Sequence, residues 1–380
     1  MDNVLALVYS SEFNPDSYGE LCKVRPDYML PFAGRYRIID FTLSNLSNYD
    51  ISNVILFAGN KMRSTLDHIG NGRSWELNRR HGGLTITPPD FTDTNPSEVT
   101  TYYDSMMAFE ESNAEYVFIT NPMYINKVDI SDAKEKMKSS NADALIFTKK
   151  TTDENGFYLN RKIIISDEND KPINPGVNLG LNDEFDLFAG SILIKREVFI
   201  KVLRYAIEVN NISSILAALF EFPGDINKDF YRIDNQLEII MDIYSFFDAN
   251  FKLLDKKYYD KLFYKDGLVY TKSKDEPSTS YTKDSKVKNS LVANGSIIEG
   301  EIENSIIFRG VTIKKGAVIK NSIIFQDSVI GEDSIINYVI TDKGTQIGKN
   351  VKLFGNRTHP YASSKNEVLE TRSYEWTYYI

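Results

Sequence analysis

The sequence predicts an α/β domain followed by a parallel β-helix, and three features carry that expectation. Short apolar runs alternate with helix-period segments over the first two-thirds of the chain, a polar stretch breaks the pattern near residue 266, and beyond residue 285 aliphatic side chains recur every six residues. At 380 residues the chain is also longer than one ordinary domain.

The apolar runs lie at residues 4–8, 54–58, 116–119, 144–147, 163–165 and 192–194. Most are strand-sized, and such runs suit strands of a parallel sheet buried on both faces. Val198, Phe199, Val202, Leu203, Ala206 and Ile207 fall on one helical face between such runs. Strand–helix alternation of this kind gives an α/β domain that takes its ligands near the carboxyl ends of the strands. Residues 239–254 read as a further helix that closes the domain. The boundaries follow: a first domain over 1–265, a linker over 266–284 rich in Lys, Ser, Thr and Asp, and a repeat domain with a tail over 285–380.

In the repeat domain Ile306, Thr312, Val318, Ile324, Ile330 and Ile336 are spaced by six, as are Val311, Ala317, Ile323, Val329 and Ile335, and Gly310 with Gly316. A six-residue period with aliphatics at one position is the hexapeptide β-helix pattern. Each hexad forms one short side of a triangular coil, and the recurring aliphatic fills its interior. An ordinary antiparallel β-domain is the alternative, but it would show period two.

Composition excludes several function classes. The net charge of -9, with 44 basic against 53 acidic residues, argues against nucleic acid and against a polybasic membrane anchor. One cysteine, Cys22, permits neither an intrachain disulfide nor a multi-cysteine metal site, and it fits a reducing, cytoplasmic setting. The N-terminus lacks the basic start and long apolar run of a signal peptide, and nothing approaches the ~20 apolar residues of a membrane span. A hexapeptide acyltransferase would want a histidine on the repeat; His68, His81 and His359 all lie outside 285–350.

The run Leu30-Pro31-Phe32-Ala33-Gly34-Arg35-Tyr36-Arg37-Ile38-Ile39-Asp40-Phe41-Thr42-Leu43-Ser44-Asn45 resembles the P-F-G-G-K/R-Y-R-I/L-I-D-F-x-L-S-N signature of glucose-1-phosphate adenylyltransferases, the ADP-glucose pyrophosphorylase family. Gly72-Arg73-Ser74-Trp75-Glu76-Leu77-Asn78-Arg79, with Gly82-Gly83, is similar to that family's G-x-P-W-D-L-D-R…G-G block. Ser245-Phe246-Phe247-Asp248-Ala249-Asn250 is similar to its S-Y-W/Y-E-A-N helix. The resemblance implies a Rossmann-like, GT-A-like nucleotidyltransferase domain before a left-handed parallel β-helix, and a place in glycogen synthesis through ADP-glucose. Gly19-Glu20-Leu21 before Arg25, and 116–122 reading Y-V-F-I-T-N-P, resemble the non-catalytic GlgD-type chains rather than the catalytic GlgC type. That resemblance implies a regulatory subunit partnered by a catalytic GlgC-type subunit in a hetero-oligomer, a tetramer by family expectation. It implies no cofactor of the chain's own, with Mg2+ serving the partner.

The chemistry of such a site needs a glycine-rich loop, basic side chains on phosphate, and carboxylates on Mg2+. The loop after the first strand, residues 9–18, contains no glycine, lysine or arginine; it holds Ser10, Ser11 and Pro15, with Glu12 and Asp16 adding like charge. By resemblance, Asn121 stands where the family has a metal-binding aspartate, Asp27 where it has a lysine, and Ile239 where a second aspartate belongs. Asp234 or Asp242 would serve if a gap is allowed. The family's G-T-A-D-A segment falls near 104–108 without its glycine, and Lys171-Pro172 lacks the context of the sugar-phosphate lysine. The expectation is therefore a degenerate catalytic centre in which Ser10, Ser11 and Arg25 are vestiges of a phosphate pocket. Arg35 and Arg37 are candidate effector contacts, the alternative being an Arg–Asp pair bracing the first helix. An active adenylyltransferase and a pure scaffold are the competing readings. The aromatic end of the chain, 373–380, is expected to dock on the β-helix or on a neighbour.

Overall fold

The computed structural model describes residues 4–10, 14–79, 82–90, 92, 96–181, 183–209 and 211–370. Ser11, Glu12 and the aromatic tail lie outside the described residues. The chain divides into two compact units that interleave along the sequence. The first holds Met1–Glu12, Ile39–Ile239 and Tyr264–Tyr270; the second holds Phe13–Ile38, Ile240–Phe263 and Thr271–Ile380. The division thus differs from a single boundary at 265, because Phe13–Ile38 and Ile240–Phe263 gather with the repeat and Tyr264–Tyr270 with the sheet.

The first unit is built on β1 (Val4–Val8), β2 (Asn53–Phe57), β3 (Gly83–Thr87), β4 (Tyr116–Thr120), β5 (Ala144–Thr151), β6 (Lys162–Ser166), β7 (Pro172–Val177), β8 (Phe185–Lys195) and β9 (Lys228–Arg232). Their order runs β7-β6-β8-β4-β1-β2-β3, with β5 on β8 and β9 on β5. Only half of it meets the all-parallel expectation. The strands β3, β2, β1 and β4 run parallel. The long β8 runs antiparallel to β4, β5 and β6, and such mixed sheets are common when one strand returns along the edge of a parallel core. The helices α1 (Ile38–Asn48), α2 (Met62–Ile69) and α3 (Glu98–Tyr103) connect the parallel strands. The predicted helical face at 198–207 lies on α4 (Arg196–Val209), which buries Phe199, Val202, Leu203 and Ala206.

Residues 239–254 do not form one helix. Glu238 and Ile239 pair as a short strand with Tyr124–Ile125, and α6 (Ile243–Lys252) starts only at Asp242, whose side chain accepts from Ser245 N in a capping box. The cap satisfies the orphan N–H groups of the first turn and so fixes the start. The helix α5 (Ile215–Glu221) precedes β9.

In the second unit the repeat closes into stacked coils with three faces of six, five and five short parallel strands. The coils are not three hexads. Ile302 stacks on Ile319 and Ile319 on Ile336, seventeen residues apart, so in these middle coils two sides take six residues and the third takes five; an earlier step is fifteen residues and a later one twenty-two. The interior column is accordingly Ile307, Ile313, Ile319, Ile324, Ile330 and Ile336. The predicted Ile324, Ile330 and Ile336 lie inside, but Thr312 and Val318 give way to their neighbours Ile313 and Ile319 because the short side shifts the phase by one. Ile306 is buried on the outside of the coil, next to the Gly34 turn. One corner is an asparagine ladder: Asn289, Asn304 and Asn321 take positive φ, and each donates its amide to the next, ending on Asn337. Asparagine tolerates this backbone region better than other side chains with a Cβ.

Candidate functional site

A cavity of about 400 Å3 opens in the first unit beyond the carboxyl ends of β1 and β4, where an α/β sheet ordinarily takes its ligand. Tyr9 extends β1 to it, its N–H donating to Thr120 O at 3.2 Å. Asn121 follows β4, and Gly190 lies opposite in β8. Gly190 has φ +77, and a Cβ there would stand 2.3 Å from the Tyr124 ring. Glycine is thus required both by the backbone and by the close approach.

Two helix N-termini supply the rest of the wall, and both are already satisfied. Ser97 caps α3, its Oγ accepting from Thr100 N at 3.0 Å. Ser214 caps α5, its Oγ accepting from Ala217 N at 3.3 Å. The Glu98 carboxylate reaches across to accept from Ile215 N at 3.0 Å. Backbone donors at helix starts are what an anionic ligand would use, and here the protein's own carboxylate takes one of them. At an effective dielectric of ~20, a phosphate oxygen about 4 Å from Glu98 would meet ~4 kcal/mol of repulsion. Complete burial, then the nearby Glu98 charge, holds the Tyr102 phenol well above its ordinary pKa, so it lines the cavity neutral. Among the described lining residues Lys162 is the one basic side chain.

Asn121 provides no metal ligand in this arrangement. Its Oδ1 accepts from Met123 N at 2.9 Å and its N–H donates to Gly190 O at 2.9 Å. Among the described residues no three His, Cys, Asp or Glu side chains converge as a metal cage. Mg2+ on a polyphosphate wants one or two carboxylates beside the phosphate oxygens. Glu98, committed to a backbone N–H, and Asn121, neutral and turned to Met123, do not fit it.

Ser10 sits half-buried after β1, and Ser11 lies outside the described residues. The segment after them is no open loop: Pro15–Cys22 winds as a 3-10 helix kinked at Gly19, and buried Tyr18 donates its hydroxyl to Ile240 O at 2.9 Å. Arg25 is committed within the second unit, its Nη2 donating to buried Asp342 at 2.8 Å and its Nη1 to Leu21 O at 2.9 Å. Asp27 is buried and accepts from Tyr28 N at 2.7 Å. Ile239 pairs across strands with Tyr124 and carries no charge. Lys171 pairs with Asp229 at 3.2 Å.

Arg35 and Arg37 lie on a small hairpin, Pro31–Phe32 against Tyr36–Arg37. Arg35 is exposed, its guanidinium 5.3 Å from the Tyr36 ring, whereas half-buried Arg37 donates to Met29 O. Buried Asp40, on the first helix, holds His68 Nε2 at 2.6 Å. Two of the sequence motifs meet at the hairpin turn. Ala33 and Gly34 both take positive φ, and Ala33 N donates to Asn250 Oδ1 at 3.0 Å. Asn250 in turn donates to Phe246 O at 2.9 Å.

Sequence reasoning missed Glu98, Lys162, Ser214 and Gly190. The Ser97 and Ser214 caps were findable, each a serine before a helical run. Their convergence was not, because Glu98 and Ile215 stand 117 residues apart.

The chain is similar to known proteins over most of its length. Residues 277–360 match the family model described as "GlmU-like, C-terminal hexapeptide". The "Glycogen biosynthesis protein GlgD" of Bacillus subtilis (strain 168) is 32% identical over 342 residues, 89% of each chain. That of Geobacillus stearothermophilus is 31% identical over 320 residues, 83% of each. A "Glucose-1-phosphate adenylyltransferase" of Clostridium perfringens (strain 13 / Type A) is 30% identical over 314 residues, 78% of this chain and 77% of the relative.

Proposed function

We propose that this chain, which belongs to the family of the GlgD glycogen biosynthesis proteins and the glucose-1-phosphate adenylyltransferases, acts in glycogen biosynthesis as a catalytically impaired, regulatory subunit beside a catalytic chain of the same family. The observation that carries the reading is the Glu98–Ile215 contact. A site that must gather a triphosphate and a sugar phosphate would leave helix N–H groups and cations to the ligand. This cavity spends a helix donor on its own carboxylate, offers one lysine, and turns the amide at the metal position to a backbone N–H.

In this role the cavity's hydroxyls bind and orient, and among the described lining residues Lys162 alone brings positive charge toward a phosphorus centre. Regulation then means a coupling free energy: the chain changes the substrate or effector affinity of its partner. Arg35, exposed on the hairpin, is the candidate effector contact of the second unit.

The test is pyrophosphate release from ATP and glucose 1-phosphate with Mg2+, measured for this chain alone, for a catalytic relative alone, and for the two together. The expected result is no turnover alone and a shifted KM or effector response in the mixture. Turnover by this chain at the catalytic relative's rate would establish the competing reading, an active adenylyltransferase. An unchanged KM and effector response would leave only a scaffold.

A further inference from the structure

Tyr102 is a part of the cavity that the regulatory reading leaves without a use. Its side chain is fully buried on α3 and lines the cavity, yet its hydroxyl makes no hydrogen bond within the protein. The rings of Phe57, Tyr9 and Phe199 pack around it at centroid distances of 5.0, 5.7 and 6.0 Å and hold its direction. A buried hydroxyl without a partner destabilises the fold that holds it, and native proteins keep few of them. At a cavity wall, whatever enters the cavity supplies the partner.

Around Tyr102 the wall is hydroxylated. Ser214 Oγ accepts from Ala217 N at 3.3 Å and Thr120 Oγ1 from Ser191 Oγ at 3.0 Å, so each keeps a hydroxyl hydrogen to donate. Glu98, in the same wall, is an acceptor. A ligand hydroxyl both donates and accepts, so a molecule carrying several of them meets this mixture. Charge sets a second condition. Among the described lining residues Glu98 and Lys162 are the charged ones, and they cancel. A phosphate loses to Glu98 what it gains from Lys162, and the cost of stripping its water stays uncompensated. Ile119, Phe188, Ile192 and Leu216 add apolar surface for the C–H face of a ring. At about 400 Å3 the cavity lies near the small end of ligand sites, roughly 300–1,000 Å3.

We infer that the cavity takes an uncharged, polyhydroxylated ligand of about hexose size, held by the Tyr102 hydroxyl together with Ser214, Thr120 and Glu98. The inference rests on the reading that this cavity no longer serves phosphoryl transfer, and it adds the chemical class of the input: a ligand without phosphate.

The test is calorimetric titration of the purified full chain, alone, with glucose, maltotriose and glucose 1-phosphate. Glucose is expected to bind, and glucose 1-phosphate to bind at least about tenfold more weakly because its desolvation is uncompensated. Tyr102→Phe removes one oxygen. It should weaken glucose roughly 3–10-fold, the worth of one hydrogen bond, and leave the melting temperature of the ligand-free chain unchanged or higher, whereas a merely structural hydroxyl would lower it on removal. Glu98→Gln removes the charge and keeps an oxygen for Ile215 N, so it should narrow the gap between glucose and glucose 1-phosphate. Maltotriose binding tighter than glucose supports the inference with the end of a longer chain as the ligand, and the reverse order supports it with a free monosaccharide. Binding of neither neutral sugar, glucose 1-phosphate binding tighter than glucose, or a Tyr102→Phe chain that binds glucose as the wild type does overturns the inference. None of these measurements is of turnover. A cavity that takes neither sugar leaves the proposed function standing, whereas turnover by the chain alone removes that reading whatever the order of binding.

Discussion

Replacing Arg25 by alanine should cost the second unit about 3–5 kcal/mol while leaving ligand behaviour alone. The magnitude follows from what the guanidinium does. Arg25 is 5% exposed and Asp342 0%. The Asp342 Oδ1 accepts from Arg25 Nη2 at 2.8 Å and from Lys343 N at 2.6 Å, and its Oδ2 makes no hydrogen bond. Removing the arginine therefore leaves a buried carboxylate with a single backbone donor, a change that costs ~3–5 kcal/mol when one partner of a buried pair is deleted. The Leu21 carbonyl loses its donor as well, about 1 kcal/mol more. Against a total stability of roughly 5–15 kcal/mol this is a large fraction. Urea unfolding followed by circular dichroism measures it as a lowered midpoint. The double variant Arg25→Met/Asp342→Leu should recover most of the loss, because an apolar pair of similar volume avoids the desolvation penalty. An Arg25→Ala chain within about 0.5 kcal/mol of wild type would refute the reasoning, and loss of nucleotide affinity at unchanged stability would return Arg25 to a phosphate pocket.

Three further outcomes are expected. Asn121→Asp should not create turnover, since Oδ1 stays on Met123 N–H and Glu98 stays on Ile215; pyrophosphate release at a catalytic relative's rate would refute this. Asn250→Ala should lower stability by ~1–3 kcal/mol by leaving the Ala33 N–H of a positive-φ turn unsatisfied, seen as a lower melting temperature. Burial pushes the Lys127 ammonium down from 10.5 to about 8, the Asp266 charge opposing, while its Nζ donates to the Lys265 and Gly267 carbonyls. The native state then binds fewer protons than the unfolded one between about pH 8 and 10.5, so this group's contribution to stability rises with pH through that window. Lys127→Met should remove the rise, and urea midpoints at pH 7.5 and 10 that shift equally in both proteins would show the ammonium is not the cause.

The sequence disclosed the elements whose signals are local. The run at β1 is Val-Leu-Ala-Leu-Val and is buried throughout, and the strands at 116–120 and 144–151 stood out equally. The repeat disclosed its class but not its phase. A five-residue side in the middle coils moves Ile313 and Ile319 inward in place of Thr312 and Val318, and a period count does not see such a missed step. The direction of β8 was hidden because an apolar run reads the same in either orientation. Of the candidate positions, Asn121 and Ile239 were legible as residue types, but their contacts were not. The Asn121 turn onto Met123, the Arg25–Asp342 pair and the Asn250–Ala33 contact join residues through space, and one sequence carries no record of such pairings.

The wiring of the second unit has a consequence for how the chain comes into being on the ribosome. Residues 14–38 emerge long before their partners Ile240, Asn250 and Asp342, the last of them made 317 residues after Arg25. At ~5–20 residues per second that interval is roughly 15–60 s. For that time Tyr18, Leu21 and Phe32, buried once folded, are without the surface that later covers them. Contacts closed over such distances are slow to form, and a nascent chain stalled before residue 342 would expose this apolar segment to holdase chaperones and proteases.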